Sequence, residues 1–540
     1  MSIPRIVVED ATVPTRDGAL LASDIVRLDD DERRPVLLVR TPYGRAALRA
    51  GHDTVALARA GWVVVLQDVR GRWDSTGDFA PFGQEIGDGQ DVVAWCAAQP
   101  WSSGDVVMGG ASYDGLTAWM AARELPPGLR AIAPIVSSPE TADPWIRRGG
   151  AVNLGFLLNW GLGLGIMGSP GDADVKAQGS AWHSDFRETV RSADALERLT
   201  TTFPGARPWL DEPTGDATPA FDAELPLLAD GLPIFHLTGW HDIFVEGAIR
   251  AYRAMCEAGH AGRQRLVIGP WTHGTVYGTS AGAEEYGTEA SGWMRFPAER
   301  MEFLRAAASG EQVGSGASVW VMGANHWLEM DEWPPPATVR TLSLGASTRA
   351  HDPAGAGTLG GDPGAATELG WQHDASDPVP ARGGRTLHPG TDIAGPVDDD
   401  TTKRGDVLSF EGEPLTEALT IAGAVEVRVP FAASTATADL VAKLLDVRPD
   451  GTARAVLDGV TRVTAADGGT VSVALGNTAR EFAAGHRIRL VLTGSNFPSY
   501  DLTPSGSRTV RVGEGSGAEL LLPVLEETAF EPATLDPLSG

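Results

Sequence analysis

A serine, an aspartate and a histidine, which together can cleave acyl bonds, each follow a short apolar run in this 540-residue chain. Ser112 follows such a run inside a glycine-rich stretch, and the residues after it are typical of a helix. A serine in this position lies on a tight strand-to-helix turn that holds its hydroxyl up to solvent. Asp242 and His273 also follow apolar, strand-like runs. The pattern predicts Ser112 as nucleophile, His273 as its base and Asp242 as the group that fixes the histidine tautomer.

An acyl-transfer site also needs hydrogen-bond donors for the oxyanion that forms during the reaction. The backbone amide of Tyr113 would be free at the start of the helix and could supply one donor. Tyr43 lies in a loop after the apolar run 36–39, and its phenol is a suitable neutral donor. Taken alone, this position favours a tyrosine that only packs on its loop over an oxyanion donor.

Short motifs throughout the chain support a family resemblance. They are RTPYG at 40–44, QDVRG at 67–71, GASY at 110–113, GWHD at 239–242, GPWTH at 269–273, AKLLDV at 442–447 and GSNFP at 494–498. Together they resemble the CocE/NonD family of serine hydrolases, the group of the cocaine esterases and X-Pro dipeptidyl-peptidases. The resemblance covers nearly the whole chain, and the motifs are specific in combination.

The resemblance implies roles for particular residues. Ser112, His273 and Asp242 would form the catalytic triad, with the Tyr43 hydroxyl and the Tyr113 amide as the oxyanion hole. Aromatic residues would surround an acyl pocket, and His241 differs from the tyrosine common at its position in relatives. The substrate-binding residues expected on this basis are Trp145, Trp160, Phe244 and His241.

The fold implied is α/β, an α/β-hydrolase core with an inserted helical cap and a C-terminal all-β jelly-roll-like sandwich. The sequence pattern agrees with this fold. Strand-like and helix-like segments alternate in the first part of the chain, and strand-like runs of alternating apolar and polar residues follow the triple proline at 334–336. The expected parts are core residues 1–138, a cap at 139–228, core residues 229–335 and the sandwich at 336–540.

Composition limits the partners that this chain could have. The formal net charge is −28, which argues against nucleic acid or an anionic membrane surface as a partner. Only Cys96 and Cys256 are present, and no apolar leader follows Met1, so we expect a cytoplasmic protein without disulfides. We expect no cofactor and no metal, and a small-molecule ester or amide as the partner. A homodimer stays open.

Two alternatives to an esterase remain at this stage. The first is an X-Pro dipeptidyl-peptidase-like or amino-acid ester or amide hydrolase, which needs an anchor for the substrate amine. Asp114 could be that anchor, or it could be an ordinary carboxylate in a first helical turn. The apolar Ile243 and Phe244, directly after the triad acid, favour a substrate without an amine. The second alternative is a carbohydrate-binding protein with a decayed site, against which the intact triad argues.

Overall fold

A mainly parallel sheet lies at the centre of the first part of the chain in this computed structural model. The structure describes residues 5–51, 53–168, 171–211, 226–346, 357–388 and 394–526. The sheet order is β1-β2-β4-β3-β5-β6-β9-β10-β13-β14, parallel from β4 to β13 and antiparallel at both ends. In chain order, the strands of this region are β1 (Ile6–Pro14), β2 (Leu20–Leu28), β3 (Arg34–Thr41), β4 (Val63–Asp68), β5 (Ser102–Ala111), β6 (Leu129–Ile135), β7 (Arg147–Arg148), β8 (Ala151–Val152), β9 (Ile234–His241), β10 (Gln264–Thr272), β11 (Ser280–Ala281), β12 (Glu284–Glu285), β13 (Gly316–Val321) and β14 (His326–Met330).

The parallel strands are buried on both faces. Every residue of β4, β9 and β10 is buried, which explains why these segments read as continuous apolar runs. Helices cover the two faces and also build the cap. They are α1 (Arg45–Gly51), α2 (Thr54–Arg59), α3 (Gln84–Ala98), α4 (Tyr113–Ala122), α5 (Leu154–Ile166), α6 (Ala173–Ser184), α7 (Phe186–Thr189), α8 (Ala195–Thr202), α9 (Arg207–Asp211), α10 (Pro226–Asp230), α11 (Val245–Met255) and α12 (Phe296–Ala308).

The cap is the helical segment between β6 and β9. Helix α5 is its most apolar element, and most of its residues are buried against α6, α8 and the core. Its glycines allow close helix packing, since a Cβ at Gly161 would overlap Leu199 and one at Gly165 would overlap Thr202. Among the described residues, no helix has both the length and the apolar character needed to cross a bilayer.

A mostly antiparallel sandwich follows the core. One layer contains β15, β17, β19, β22, β24 and β25, and the other contains β16, β18, β20, β21 and β23. Alternate residues of β19 are buried between the layers, as expected from its alternating sequence. The strands are β15 (Ala337–Gly345), β16 (Gly357–Leu359), β17 (Thr367–His373), β18 (Val407–Glu411), β19 (Leu419–Ala433), β20 (Thr437–Val447), β21 (Ala453–Thr464), β22 (Asp467–Phe482), β23 (Arg487–Thr493), β24 (Gly506–Val512) and β25 (Glu519–Leu525).

The sandwich is joined to both other parts by backbone hydrogen bonds. The amide of Met322, just after β13, donates to the carbonyl of Ala479 in β22 at 3.0 Å. The amide of Arg462 in β21 donates to Gly149 of the cap at 2.8 Å. The α/β-hydrolase core with a helical insertion and a β-sandwich is therefore confirmed as the fold.

Candidate active site

Ser112 occupies a strained turn between β5 and α4. Its φ is +60° and its ψ is −125°, a conformation that non-glycine residues rarely adopt. The turn is held by hydrogen bonds from the Ser112 amide to the Ile135 carbonyl at 2.9 Å and from the Leu116 amide to the Ser112 carbonyl at 3.0 Å. The turn needs glycine on either side, because a Cβ at Gly110 or Gly115 would overlap neighbouring backbone. This strained strand-to-helix geometry is the one that presents a nucleophilic serine in hydrolases of this fold.

Asp242 and His273 form a hydrogen-bonded pair at the ends of the adjacent strands β9 and β10. Nδ1 of His273 lies 2.8 Å from Oδ1 of Asp242. The Asp242 side chain is fully buried, and its Oδ2 accepts a hydrogen bond from Thr238 at 3.3 Å. A carboxylate on Nδ1 keeps the proton on that nitrogen and leaves Nε2 free to accept one. The pair can therefore serve a nucleophile as general base.

The Tyr43 phenol lies beside the Ser112 side chain, on the loop after β3. Ser112 acts to lower the pKa of Tyr43, and the phenol oxygen accepts a hydrogen bond from the Trp160 indole at 3.1 Å. Burial, and then the nearby Asp114, raise the pKa of Tyr43 above its usual value, so the phenol stays protonated. Since an indole N–H can only donate, the phenol proton remains available to an oxygen at the serine. This is the arrangement that an oxyanion donor requires.

Tyr113 is fixed by its side chain at the first position of α4. Its phenol accepts a hydrogen bond from the Phe82 amide at 3.0 Å and donates one to Oε1 of Glu85 at 3.2 Å. Glu85 is paired with Arg40 at 2.8 Å, and both side chains are fully buried. The phenol of Tyr113 is thus used in anchoring, and the backbone amide is the part of the residue suited to stabilise charge at Ser112. Arg40 and Glu85 were not predicted from the sequence, because a buried ion pair between β3 and α3 has no local signature.

The three expected aromatic residues belong to one aromatic cluster. Trp145 and Phe244 are fully buried with ring centroids 4.1 Å apart, and Phe244 lies 5.4 Å from the His273 ring. Trp160 is partly exposed and lies 5.3 Å from Trp145. Residues missed from the sequence complete this cluster, and their convergence depends on how the cap packs. They are Phe82, which has a φ of +77°, Phe156 and Trp209.

His241 lies apart from that cluster. Its side chain is buried, and its Nε2 is 3.4 Å from the Tyr286 hydroxyl. Burial lowers its pKa to about 3, so the imidazole is neutral. Consecutive residues at a strand end face opposite sides, which explains why Asp242 meets His273 while His241 meets Tyr286. A contact between His241 and substrate stays a prediction, and the structure gives this side chain a partner within the protein.

Asp114 is a buried acid near Tyr43, the candidate oxyanion donor. Asp114 is 6% exposed, and its Oδ1 is buried without a hydrogen-bond partner among the described residues. Burial raises its pKa to about 8, while a hydrogen bond with Thr41 acts in the opposite direction. A protonated side chain in this position differs from the charged helix-start carboxylate considered from the sequence. Within the described part of the chain, no group of three or more histidine, cysteine or acidic residues could hold a metal ion.

A strained serine, a buried aspartate–histidine pair and the α/β-hydrolase core define the class of protein, a serine hydrolase. Comparison with known proteins agrees. The model of X-Pro dipeptidyl-peptidase (S15 family) matches residues 17–275, and the model of the X-Pro dipeptidyl-peptidase C-terminal non-catalytic domain matches residues 314–522. Cocaine esterase of Rhodococcus sp. (strain MB1 Bresler) is 32% identical over 543 residues, covering 92% of each chain. The chain therefore belongs to the cocaine esterase family of serine hydrolases.

Solved structures share the whole architecture. An aminopeptidase from a marine sediment archaeon, Thaumarchaeota archaeon, has a TM-score of 0.76 at 21% identity, covering 97% of both chains. An α-amino acid ester hydrolase has a TM-score of 0.72 at 24% identity, also covering 97% of both. At these identities the likeness concerns the fold, so the substrate has to be argued from the site.

Proposed function

We propose that this chain hydrolyses carboxylic esters of small molecules with bulky or aromatic acyl groups, through an acyl-enzyme on Ser112. The observation that supports this most is the 2.8 Å contact between Nδ1 of His273 and buried Asp242. A buried carboxylate on Nδ1 is the feature that makes an imidazole an effective base for a serine. A serine held at positive φ, with the Tyr43 phenol beside it, also supports the proposal.

The reaction would proceed in two displacement steps. In the first, Nε2 of His273 takes the Ser112 proton while Oγ forms a bond to the carbonyl carbon. The resulting oxyanion would accept hydrogen bonds from the Tyr43 phenol and the Tyr113 amide. The tetrahedral adduct breaks its bond to the leaving oxygen, which takes the proton from His273 and departs as the alcohol. In the second step, water repeats the sequence and releases the acid.

The aromatic cluster supports an acyl group of aromatic or bulky character. Phe244 and Trp145 lie on the side of His273, and Trp160 is tied to Tyr43 by its indole nitrogen. Such rings favour flat apolar groups through burial and ring contacts. The name of the cocaine esterase relative fits ester cleavage.

Amide or α-amino ester hydrolysis is the second candidate, motivated by the family description as an X-Pro dipeptidyl-peptidase. It requires a charged anchor for the substrate amine. Phe244 and Ile243 follow the acid in place of carboxylates, and the raised pKa of Asp114, caused by burial, leaves that side chain neutral near pH 7. Both observations favour the ester.

A labelling experiment and a substrate panel test the proposal. A fluorophosphonate should modify the wild-type chain at Ser112 and leave Ser112→Ala unlabelled, and the variant should lose nearly all turnover, on the order of 10⁶-fold. The panel compares p-nitrophenyl acetate, butyrate and benzoate with amino-acid p-nitroanilides. Preference for benzoate supports the proposal. Faster cleavage of the anilides would favour the second candidate, and absence of labelling would favour a binding protein.

A further inference from the structure

The C-terminal sandwich reaches the segment that carries the triad acid. Arg385, between β17 and β18, has a side chain only 3% exposed. Its Nε donates to the carbonyl of Trp240 at 3.0 Å, and its Nη1 donates to Oε1 of Glu246 at 2.6 Å. These two acceptors lie on either side of Asp242, one at the end of β9 and one in the first turn of α11. The Arg385 guanidinium therefore holds both ends of the segment 240–246.

A second sandwich residue completes this contact. The backbone amide of Asn477 donates to Oε1 of Glu246 at 2.7 Å, and its side-chain amide donates to Oε2 at 2.7 Å. Burial would by itself raise the pKa of Glu246, but Arg385 and these two donors hold that pKa below its usual value. The preceding Gly476 has a φ of +102°, and a Cβ there would overlap both charged groups. Glycine at this position of β22 therefore leaves the space that the Arg385–Glu246 pair occupies.

The sandwich is also connected to His241, the residue that directly precedes Asp242. Arg480 forms a two-pronged ion pair with Glu284 at 2.9 and 3.0 Å. Oε2 of Glu284 accepts a hydrogen bond from Tyr286 at 3.1 Å, and the Tyr286 hydroxyl lies 3.4 Å from Nε2 of His241. Two arginines of the sandwich are thus connected to the residues that flank the catalytic acid.

These contacts matter because Asp242 lies within the segment that they hold. Asp242 is held by its own contacts to Thr238 and His273 and by the backbone of the turn that follows β9. That turn is the segment spanned by Arg385. Displacement of a catalytic group by about 1 Å can cost about 100-fold in rate.

We propose that Arg385 is a positioning residue for catalysis, which fixes residues 240–246 through Glu246 and the Trp240 carbonyl so that Asp242 stays on His273. This inference rests on the proposed function, in which Asp242 is the triad acid. It gives a role in turnover to the domain whose family description is non-catalytic.

A double-mutant cycle tests the role of Arg385. In Arg385→Met, kcat for a p-nitrophenyl ester should fall about 10- to 100-fold with KM changed less than about threefold. In the Asp242→Asn background, the same substitution should lower kcat by less than about threefold further, because the acid it positions is already lost. The matched control is Arg508→Met, which removes another fully buried sandwich arginine whose described bonds go to residues 503–507. In each background, it should leave kcat of folded protein near that of the parent that carries Arg508.

Glu246→Gln provides a second variant that keeps the shape of the side chain. It should lower kcat at least about fivefold with a similar dependence on Asp242, even if Arg385→Met does not fold. Equal loss from Arg385→Met in both backgrounds, or a loss no larger than that of Arg508→Met, would overturn the positioning role. Neither result affects the Ser112 labelling, whereas failure of that labelling would reject the proposed function itself.

Discussion

The indole nitrogen of Trp160 donates a hydrogen bond to the phenol oxygen of Tyr43 at 3.1 Å. Trp160 lies in cap helix α5, whereas Tyr43 lies on the core loop that follows β3. The bond therefore connects the cap to the candidate oxyanion donor. Because the indole can only donate, it also sets the direction in which the phenol proton points.

Trp160→Phe should lower kcat about 3- to 10-fold with little change in KM, because the ring is kept while one hydrogen bond to the phenol is lost. Steady-state kinetics with a p-nitrophenyl ester measure this. Trp327→Phe is the control, since this buried indole lies outside the aromatic cluster and donates instead to the Glu289 carbonyl at 2.9 Å. If the loss persists unchanged in a Tyr43→Phe background, Trp160 does not act through the phenol.

Tyr43→Phe and Tyr113→Phe should differ sharply although both remove one buried phenol. Loss of the Tyr43 hydroxyl removes the candidate oxyanion donor, so kcat should fall on the order of 10² to 10³ with KM much less affected. Loss of the Tyr113 hydroxyl takes away a partner of the Phe82 amide and of Oε1 of Glu85, which should cost about 1–3 kcal/mol of stability and little kcat.

Kinetics together with thermal unfolding of both variants check this contrast. A Tyr43→Phe variant that keeps kcat and changes only KM would make Tyr43 a substrate-binding residue. A large loss of kcat in folded Tyr113→Phe would mean that the anchoring of the residue matters as much as its amide.

The sequence predicted the fold and the candidate triad residues, because both depend on local sequence patterns. Ser112 has glycines at fixed spacing, and Asp242 and His273 each follow a buried strand. The contacts of Trp160 with Tyr43 and of Arg385 with Glu246 join residues 117 and 139 positions apart, and no local pattern predicts them.

The burial of the Asp114 side chain was also not predicted from the sequence. Asp114 has the sequence features of a first-turn carboxylate, yet it lies beneath the Tyr43 loop, where its surroundings suppress ionisation. Neighbouring elements determine that environment, so its protonation could only be read from the structure.

Phe244→Leu should shift the acyl preference of the enzyme. The Phe244 ring contacts both Trp145 and the His273 ring, so leucine at this position removes an aromatic contact for an acyl group beside the base. We expect the ratio of kcat/KM for benzoate over acetate esters to fall severalfold, measured with p-nitrophenyl esters. The control is Phe235→Leu, a fully buried core residue packed on Phe303, which should leave this ratio unchanged. An equal ratio in wild type and Phe244→Leu would remove Phe244 from the acyl site.

Asp114 should make the stability of the protein depend on pH. Burial raises its folded pKa from 3.8 to about 8, so the folded chain keeps a proton that the unfolded chain releases above about pH 4. The contribution of this group is fully present below about pH 4 and is lost as pH rises to about 8. Over that range the free energy of unfolding should fall by about 1.4 kcal/mol per pH unit from this group.

Asp114→Asn removes this dependence, because an amide of the same shape does not ionise. The variant should gain stability relative to wild type as pH rises from 5 to 7.5, and the gain should level off above about pH 8. Urea unfolding at a series of pH values measures the difference, and parallel curves for the two proteins would show that Asp114 is ionised in the folded state. The preference between neutral and α-amino esters should stay the same, since a neutral acid does not anchor an ammonium group. A selective loss of α-amino ester cleavage of more than about tenfold would instead make Asp114 the amine anchor and favour the peptidase-like function.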